Sequence, residues 1–295
     1  MKTLLVPIDY SEESLKALEI ALNIASRLGG QLLLCHVYQP PVLLSGEHEP
    51  VFALPEYETK KNALRQLRTF VNIVNTNAQN KVPLKFTVKA GDVVEQLLQL
   101  IQASDVSMVI IGTRGRASIV AKVFGTTSEE LVQHAPCPVL IVPGRAEISF
   151  ISKIVYASAL KPDEAVALRV LTQMKKHFQA SLALLYVDRN GKQGQVNIGV
   201  RKNHLLHEFS DDVAFASIKS RSVAEGVAQY VKDNKCDLVA FTVSEHGLWQ
   251  DLFHSPISRQ LLLKLNLPML ALPKHGKAMD LERSEEKQTL KHRLT

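Results

Sequence analysis

The sequence predicts an α/β protein made of two tandem doubly wound parallel-sheet domains, and three observations carry that prediction. Apolar, β-branched runs alternate with amphipathic helical stretches along the chain. The run Val106-Ser107-Met108-Val109-Ile110-Ile111 lacks polar alternation, as a strand covered on both faces should, and leads straight into Gly112-Thr113-Arg114-Gly115. Pro138-Val139-Leu140-Ile141-Val142-Pro143 returns as Pro268-Met269-Leu270-Ala271-Leu272-Pro273, so one plan is used twice in 295 residues.

In the first half, Lys2 to Ile8 reads as the opening strand. Ser11 can cap a helix that runs to Leu28, where Gly29-Gly30 ends it. A strand from Gln31 to Val37 follows, then a long loop from Gln39 to Glu56, a helix from about Tyr57 to Thr76 and a strand from Leu84 to Lys89. Asp92 and Glu95 give a capping-box-like start to a helix from Val93 to Ala103. The strand entering Gly112, a short helix from Ser128 to His134 and the apolar segment 138–143 complete the set. Strands alternating with helices in this way make a parallel sheet with crossover connections.

The second half repeats the order. Ile151 to Ala157 is a strand, and Pro162 suits the first turn of a helix reaching Phe178. Ser181 to Val187 is a strand, Ser222 to Asn234 a helix and Leu238 to Val243 a strand. A helix near Ile257 to Leu265 and a strand from Met269 to Leu272 close it. The domains are placed at 1–146 and 150–274, with the seam near Gly144 to Phe150 and a charged tail over 275–295. The loop after strand two, Asp188 to about Gln195, is a shorter counterpart of Gln39 to Glu56.

Gly112 and Gly115 can take positive φ and let the backbone approach a ligand closely. Gly125-Thr126-Thr127 opens a helix whose free N–H groups would face an anion. Arg114, Arg116 and Lys122 add positive charge, Arg114 lying between the two glycines. Turn formation alone would also account for isolated glycines, but their ordered spacing favours a phosphate cradle. A Walker loop is excluded, because Gly125-Thr126-Thr127 has no glycine at the required distance before it and no lysine. The first strand is followed by no glycine, which excludes a dinucleotide fingerprint.

Glycine, two residues, glycine, nine residues, glycine and Ser or Thr is the pattern of the ATP-binding members of the universal stress protein family, which this chain resembles. The resemblance extends to Leu4-Leu5-Val6-Pro7-Ile8-Asp9-Tyr10-Ser11 and to Pro136-Cys137-Pro138 with the strand after it. It implies a strand order 3-2-1-4-5, with strands 1 and 4 flanking the switch point at which doubly wound sheets hold ligands. Asp9 would then face the glycine loop and accept hydrogen bonds from a base or ribose. The backbone of Val37 would meet the adenine edge, and Pro7 would shape the approach. Taken alone, Asp9 reads as a cap for the first helix. The implied nucleotide-binding set is Pro7, Asp9, Val37, Gly112, Arg114, Gly115, Gly125, Thr126 and Thr127. ATP is the ligand, and any Mg²⁺ would come with the triphosphate, since no metal ligand is named by the sequence. In this family the last strand commonly mediates dimerisation, so the halves are expected to pair inside one chain as a pseudo-dimer. A homodimer of tandem chains is a further possibility.

The second half departs from the pattern. Aligning its penultimate strand puts Ser244 at the position of Gly112 and Gly247 at that of Gly115, with only seven residues before Ser255-Pro256. The position of Asp9 falls near Ser158, which carries no charge. Nucleotide binding is therefore expected in the first half alone, the second being a degenerate copy.

Composition limits the remaining functions. The formal charge of +6 is modest and spread along the chain, so no nucleic-acid partner is implied. The apolar run of Leu4 to Ile8 is too short for a secretory or membrane segment, so a cytoplasmic location and no membrane partner are expected. Cys35, Cys137 and Cys236 are widely spaced and read as reduced structural thiols. His204 with His207 and His246 with His254 lack a placed carboxylate or thiol, and His36 reads as a core or rim histidine. No general base or metal-binding carboxylate pair stands out, so no enzyme beyond weak ATP hydrolysis is expected. The chain thus reads as an ATP-binding protein of stress adaptation or signalling with an unknown protein partner. A nucleotide-free interaction scaffold and an adenylate-handling enzyme are the alternatives.

Overall fold

The computed structural model describes residues 2–40, 56–77, 82–113, 126–146, 150–189, 195–209, 213–243, 252 and 256–274. The first half contains β1 (Thr3–Pro7), α1 (Glu12–Leu28), β2 (Gln31–Tyr38), α2 (Glu56–Asn77), β3 (Leu84–Ala90), α3 (Val93–Ala103), β4 (Val106–Thr113), α4 (Thr126–His134) and β5 (Val139–Pro143). The second contains β6 (Lys153–Ser158), a 3-10 turn (Pro162–Glu164), α5 (Ala165–Phe178), β7 (Ser181–Asp188), α6 (Gln195–Leu206), β8 (Ala214–Lys219), α7 (Val223–Asn234), β9 (Leu238–Val243), α8 (Pro256–Leu263) and β10 (Met269–Pro273).

The helix starts follow from their capping residues. Ser11 accepts a hydrogen bond from the Ser14 amide, Asp92 from the Glu95 amide and Ser222 from the Glu225 amide. Each cap satisfies an amide that the helix cannot, worth about 1 kcal/mol. α1 ends at Gly29 in the left-handed region, φ 59°.

All ten strands form one sheet in the order β3-β2-β1-β4-β5-β10-β9-β6-β7-β8. Each half is parallel and has the 3-2-1-4-5 order. The halves meet where β5 pairs antiparallel with β10, Met269 opposite Ile141, Leu270 opposite Leu140 and Ala271 opposite Val139. Because Val139-Leu140-Ile141 and Met269-Leu270-Ala271 are matching segments, an approximate two-fold axis passes between the two leucines. This is the expected pseudo-dimer, built within one chain.

Alternating strand residues feed two cores, and both run through the junction. One holds Leu4, Val6, Met108, Ile110, Leu140, Leu270 and Tyr156 beneath α1, α2, α5 and α6. The other holds Leu5, Val109, Ile141, Ala271 and Phe241 beneath α3, α4, α7 and α8. Burying each large side chain contributes roughly 1.5–3 kcal/mol, so the junction is part of the core rather than a contact between separate bodies.

Strand register fixes how the halves correspond. Thr3 pairs with Gln31 as Lys153 pairs with Ser181, an offset of 150 residues. Leu4 pairs with Met108 as Ile154 pairs with Leu238, so the later strands match at an offset of 130. Left-handed residues follow the same rule: Tyr10 (φ 64°) matches Leu160 (φ 56°), and Asp105 (φ 47°) matches Lys235 (φ 52°). This corrects two sequence expectations. Thr242, not Ser244, holds the position of Gly112, and Ala159, not Ser158, holds that of Asp9. The shift in β9 arises because a glycine-to-glycine alignment ignores the strand pairing. α6 and β8 were also absent from the sequence reading. β8 is an edge strand in which no residue is fully buried, and its apolar pattern is weak.

Candidate functional site

β1 lies between β2 and β4, and the chain leaves β1 toward one neighbour and reaches the other only after β3, so the switch point falls between β1 and β4. Pro7 ends β1 there and pairs with Cys35. Asp9 follows, exposed, in the turn into α1. Its Oδ1 accepts hydrogen bonds from both the amide and the hydroxyl of Ser11. Burial works against the charge of Asp9, but hydrogen bonds, from Ser11 first and then from Ser14 and the main chain, together outweigh it and hold the carboxyl below its ordinary range. Asp9 therefore braces the helix cap and presents a carboxylate at the strand ends.

Tyr10 takes the left-handed backbone conformation that makes this turn. Its ring is held by His36, 4.8 Å away, and by Phe70 of α2 at 5.7 Å edge-on. The ring N–H at His36 Nδ1 donates to the Ile8 carbonyl oxygen at 2.7 Å. His36 is thus a rim histidine that fixes the approach to Asp9.

The main chain of β2 supplies the next group. The Gln31 amide donates to the Lys2 carbonyl and the Ile8 amide donates to the Cys35 carbonyl, so alternate β2 residues from Gln31 to Cys35 turn their main-chain groups toward β1. Val37 is next in that series and lies beyond Pro7. Its N–H and C=O therefore point to the side on which β1 has already ended, the side of Asp9.

Gly112 is in β4, paired with Val142, and its φ is not positive. A Cβ there would lie 2.3 Å from the Glu13 carbonyl oxygen and 2.5 Å from its carbon. The lack of a side chain at Gly112 thus lets the first turn of α1 press on β4, in a backbone conformation that is not the positive φ the sequence suggested. Thr126 and Thr127 form the first residues of α4, which begins two residues earlier than expected. Ser128 beside them is buried. Arg114, Gly115 and Gly125 lie outside the described residues, as do Arg116, Lys122, His246 and His254.

The second half carries a different, polar buried set at the equivalent place. Tyr156, Ser158, Glu164 and Thr242 are all buried, at the positions of Val6, Ile8, Ser14 and Gly112. The Tyr156 and Thr242 hydroxyls are 2.7 Å apart. Ser158 donates to one Glu164 oxygen, and the Ala159 amide donates to the other at 3.0 Å. Burial pushes the Glu164 carboxyl up, against the opposing bonds from Ser158 and Ala159. The sequence reading missed this cluster; the signal was a tyrosine, two hydroxyls and a glutamate at positions where the first half has apolar or small residues.

Among the described residues, no three His, Cys, Asp or Glu side chains are placed to hold a metal ion, and no helix is long and apolar enough to cross a membrane.

Residues 1–143 match the model of the universal stress protein family. The universal stress protein YxiE of Bacillus subtilis is 28% identical over 146 residues, covering 47% of this chain and 97% of that protein. A universal stress protein of Thermus aquaticus is 27% identical over 141 residues, covering 48% and 98%. Among solved structures, a universal stress protein from Archaeoglobus fulgidus superposes with a TM-score of 0.66 at 15% identity, over 92% of this chain and 98% of its own, a likeness of fold that spans both halves. The first 143 residues of the chain thus match the universal stress protein family, and the second half repeats the same strand order in tandem.

Proposed function

We propose that the first half binds ATP between the ends of β1 and β4, and that the bound state serves stress adaptation or signalling in the cytoplasm. The observation that carries this reading is the convergence of the Val37 main-chain groups and the Asp9 carboxylate on the switch point. A base offers both a donor and an acceptor along one edge, which Val37 can match, while Asp9 can accept from a ribose hydroxyl. Phosphates would run toward Gly112, Arg114 and Gly115 and reach Gly125, Thr126 and Thr127 at the α4 N-terminus. Pro7 bounds the approach, and Gly112 acts indirectly, by seating α1. The bound triphosphate could bring Mg²⁺ held by its own oxygens.

We read 1–146 as the nucleotide-binding domain, 150–274 as the degenerate one and 275–295 as a charged tail. Recognition through main-chain groups favours binding over turnover. The test is thermal unfolding of nucleotide-stripped protein with and without ATP. Ligand at about a hundred times its dissociation constant should add roughly 2.7 kcal/mol, and Gly115→Val should abolish the gain. No shift with ATP, ADP or AMP would defeat the proposal.

One observation favours a nucleotide-free scaffold as the second reading. Asp9 is engaged by Ser11, and the open side of Gly112 is occupied by Glu13, so both are accounted for by the fold without a ligand. The same thermal experiment separates the two.

A further inference from the structure

The second half differs from the first at three places bordering its own switch point, one in a floor that is buried in both halves and two that cover it. At the floor, Tyr156, Thr242, Ser158 and Glu164 replace apolar and small residues with a buried hydrogen-bonded cluster, and the Leu160 amide adds a bond to Ser158 Oγ at 2.9 Å. At the wall, Val187 holds the position of Val37, and Gly226 of α7 holds that of Gln96. A Cβ on Gly226 would come within 2.7 and 2.8 Å of the Val187 methyl groups, so α7 rides directly on Val187. Val187 is buried where Val37 is half-buried. At the mouth, Arg201 of α6 donates from Nε to the Leu160 carbonyl at 3.1 Å and from its terminal nitrogen to the Ala159 carbonyl. These carbonyls belong to the positions of Tyr10 and Asp9.

The three changes come from different elements, the 3-10 turn with β6 and β9, α7, and α6. A crevice that had merely lost its affinity would need none of them. We infer that the second half is latched shut by its own side chains, Arg201 closing the mouth over a floor fixed by Glu164, Tyr156 and Thr242. The guanidinium supplies N–H donors to main-chain carbonyls, as the amino group of a base would, and so acts as a ligand held in the same chain. The inference rests on reading the matching first-half crevice as a ligand site.

Thiol labelling of the full chain tests it, since the three native cysteines are buried. Val37→Cys and Val187→Cys are introduced separately and their rates of reaction with a small disulfide reagent compared. Val187→Cys is expected to react on the order of tenfold more slowly, and Arg201→Ala should speed hydrogen exchange of the amides over 157–163, whose carbonyls at Ala159 and Leu160 it bonds. Equal labelling rates for the two positions, or exchange over 157–163 unmoved by Arg201→Ala, would overturn the latch. Hydrogen exchange on the unaltered protein gives a second measure. Amides over 157–163 should exchange more slowly than those over 7–13, and equal protection would also overturn it. The ATP reading fails separately, if ATP leaves the thermal unfolding of the unaltered chain unchanged, whatever the labelling rates show.

Discussion

Leu140 of β5 stands directly opposite Leu270 of β10, and the two residues hold matching positions in their respective halves. Both are buried in the same core, at 1% and 0% exposure, so the two-fold relation between the halves is fixed by packing as well as by the strand ladder. Leu140→Ala and Leu270→Ala should each lower unfolding free energy by about 2–5 kcal/mol. The double variant should depart from additivity by about 0.5–3 kcal/mol, read from urea unfolding curves. Strict additivity would show that the halves do not share a core there.

Gly112→Ala tests the seating of α1. The added methyl would meet the Glu13 carbonyl at 2.3 Å, which is backbone and cannot rotate away. A loss of about 1–3 kcal/mol in denaturant unfolding is expected, with or without nucleotide. An unchanged midpoint would mean that α1 is not pressed against β4.

Asp9→Asn separates the two roles of that residue. An asparagine keeps an acceptor for the Ser11 amide, so stability should fall by less than about 1 kcal/mol. ATP affinity should fall measurably in calorimetric titration. A large stability loss with unchanged affinity would assign Asp9 to the cap alone.

Two carboxyls make opposite predictions with pH. The Glu164 carboxyl is pushed above its ordinary 4.5, first by burial and then by Asp163, so the stability tied to its neutral form is present below that value and lost as pH rises through the raised one. Asp9 lies below its ordinary 3.8, so its contribution is present above that value and lost as pH falls through the lowered one. Glu164→Gln should therefore flatten the fall in stability on the side above 4.5, and Asp9→Asn the fall on the acid side. Equal slopes in variant and parent would contradict the environment described for each group.

Burial pushes the Cys35 and Cys137 thiols up to about 12 and the Cys236 thiol up to about 11. At pH 8 the thiolate share is about one in a thousand or less. Native protein should leave all three unreacted with an aromatic disulfide reagent, and denaturant should release three thiols together. Rapid labelling of any one in the native state would show that its burial is broken by local opening.

Long apolar runs and a repeated segment flanked by prolines made the strands and the duplication legible, while the strand order and the strand-to-strand junction were implied by the family resemblance. Two caps were legible because the signal is local: Ser11 and Asp92 each bond an amide three residues on, whereas Ser222, read as the first helical residue, proves to be a cap of the same kind. The correspondence between the halves was legible only in outline. Gly112 and Thr242 share a position fixed by strand pairing, a long-range property that a comparison of short motifs does not contain. The buried partners Tyr156, Thr242 and Glu164 come from three separate segments, and only folding brings them together. The packing of Glu13 on Gly112 was not legible because a missing side chain leaves the same mark in a sequence whether a helix or a phosphate fills the space.

The junction of β5 with β10 has an evolutionary corollary. When two identical subunits meet through that strand, every substitution appears on both sides at once, and neither side can specialise without the other. A chain that encodes both sides is free of that constraint. Its assembly does not weaken on dilution, and a residue such as Thr242 can change while Gly112 stays as it was.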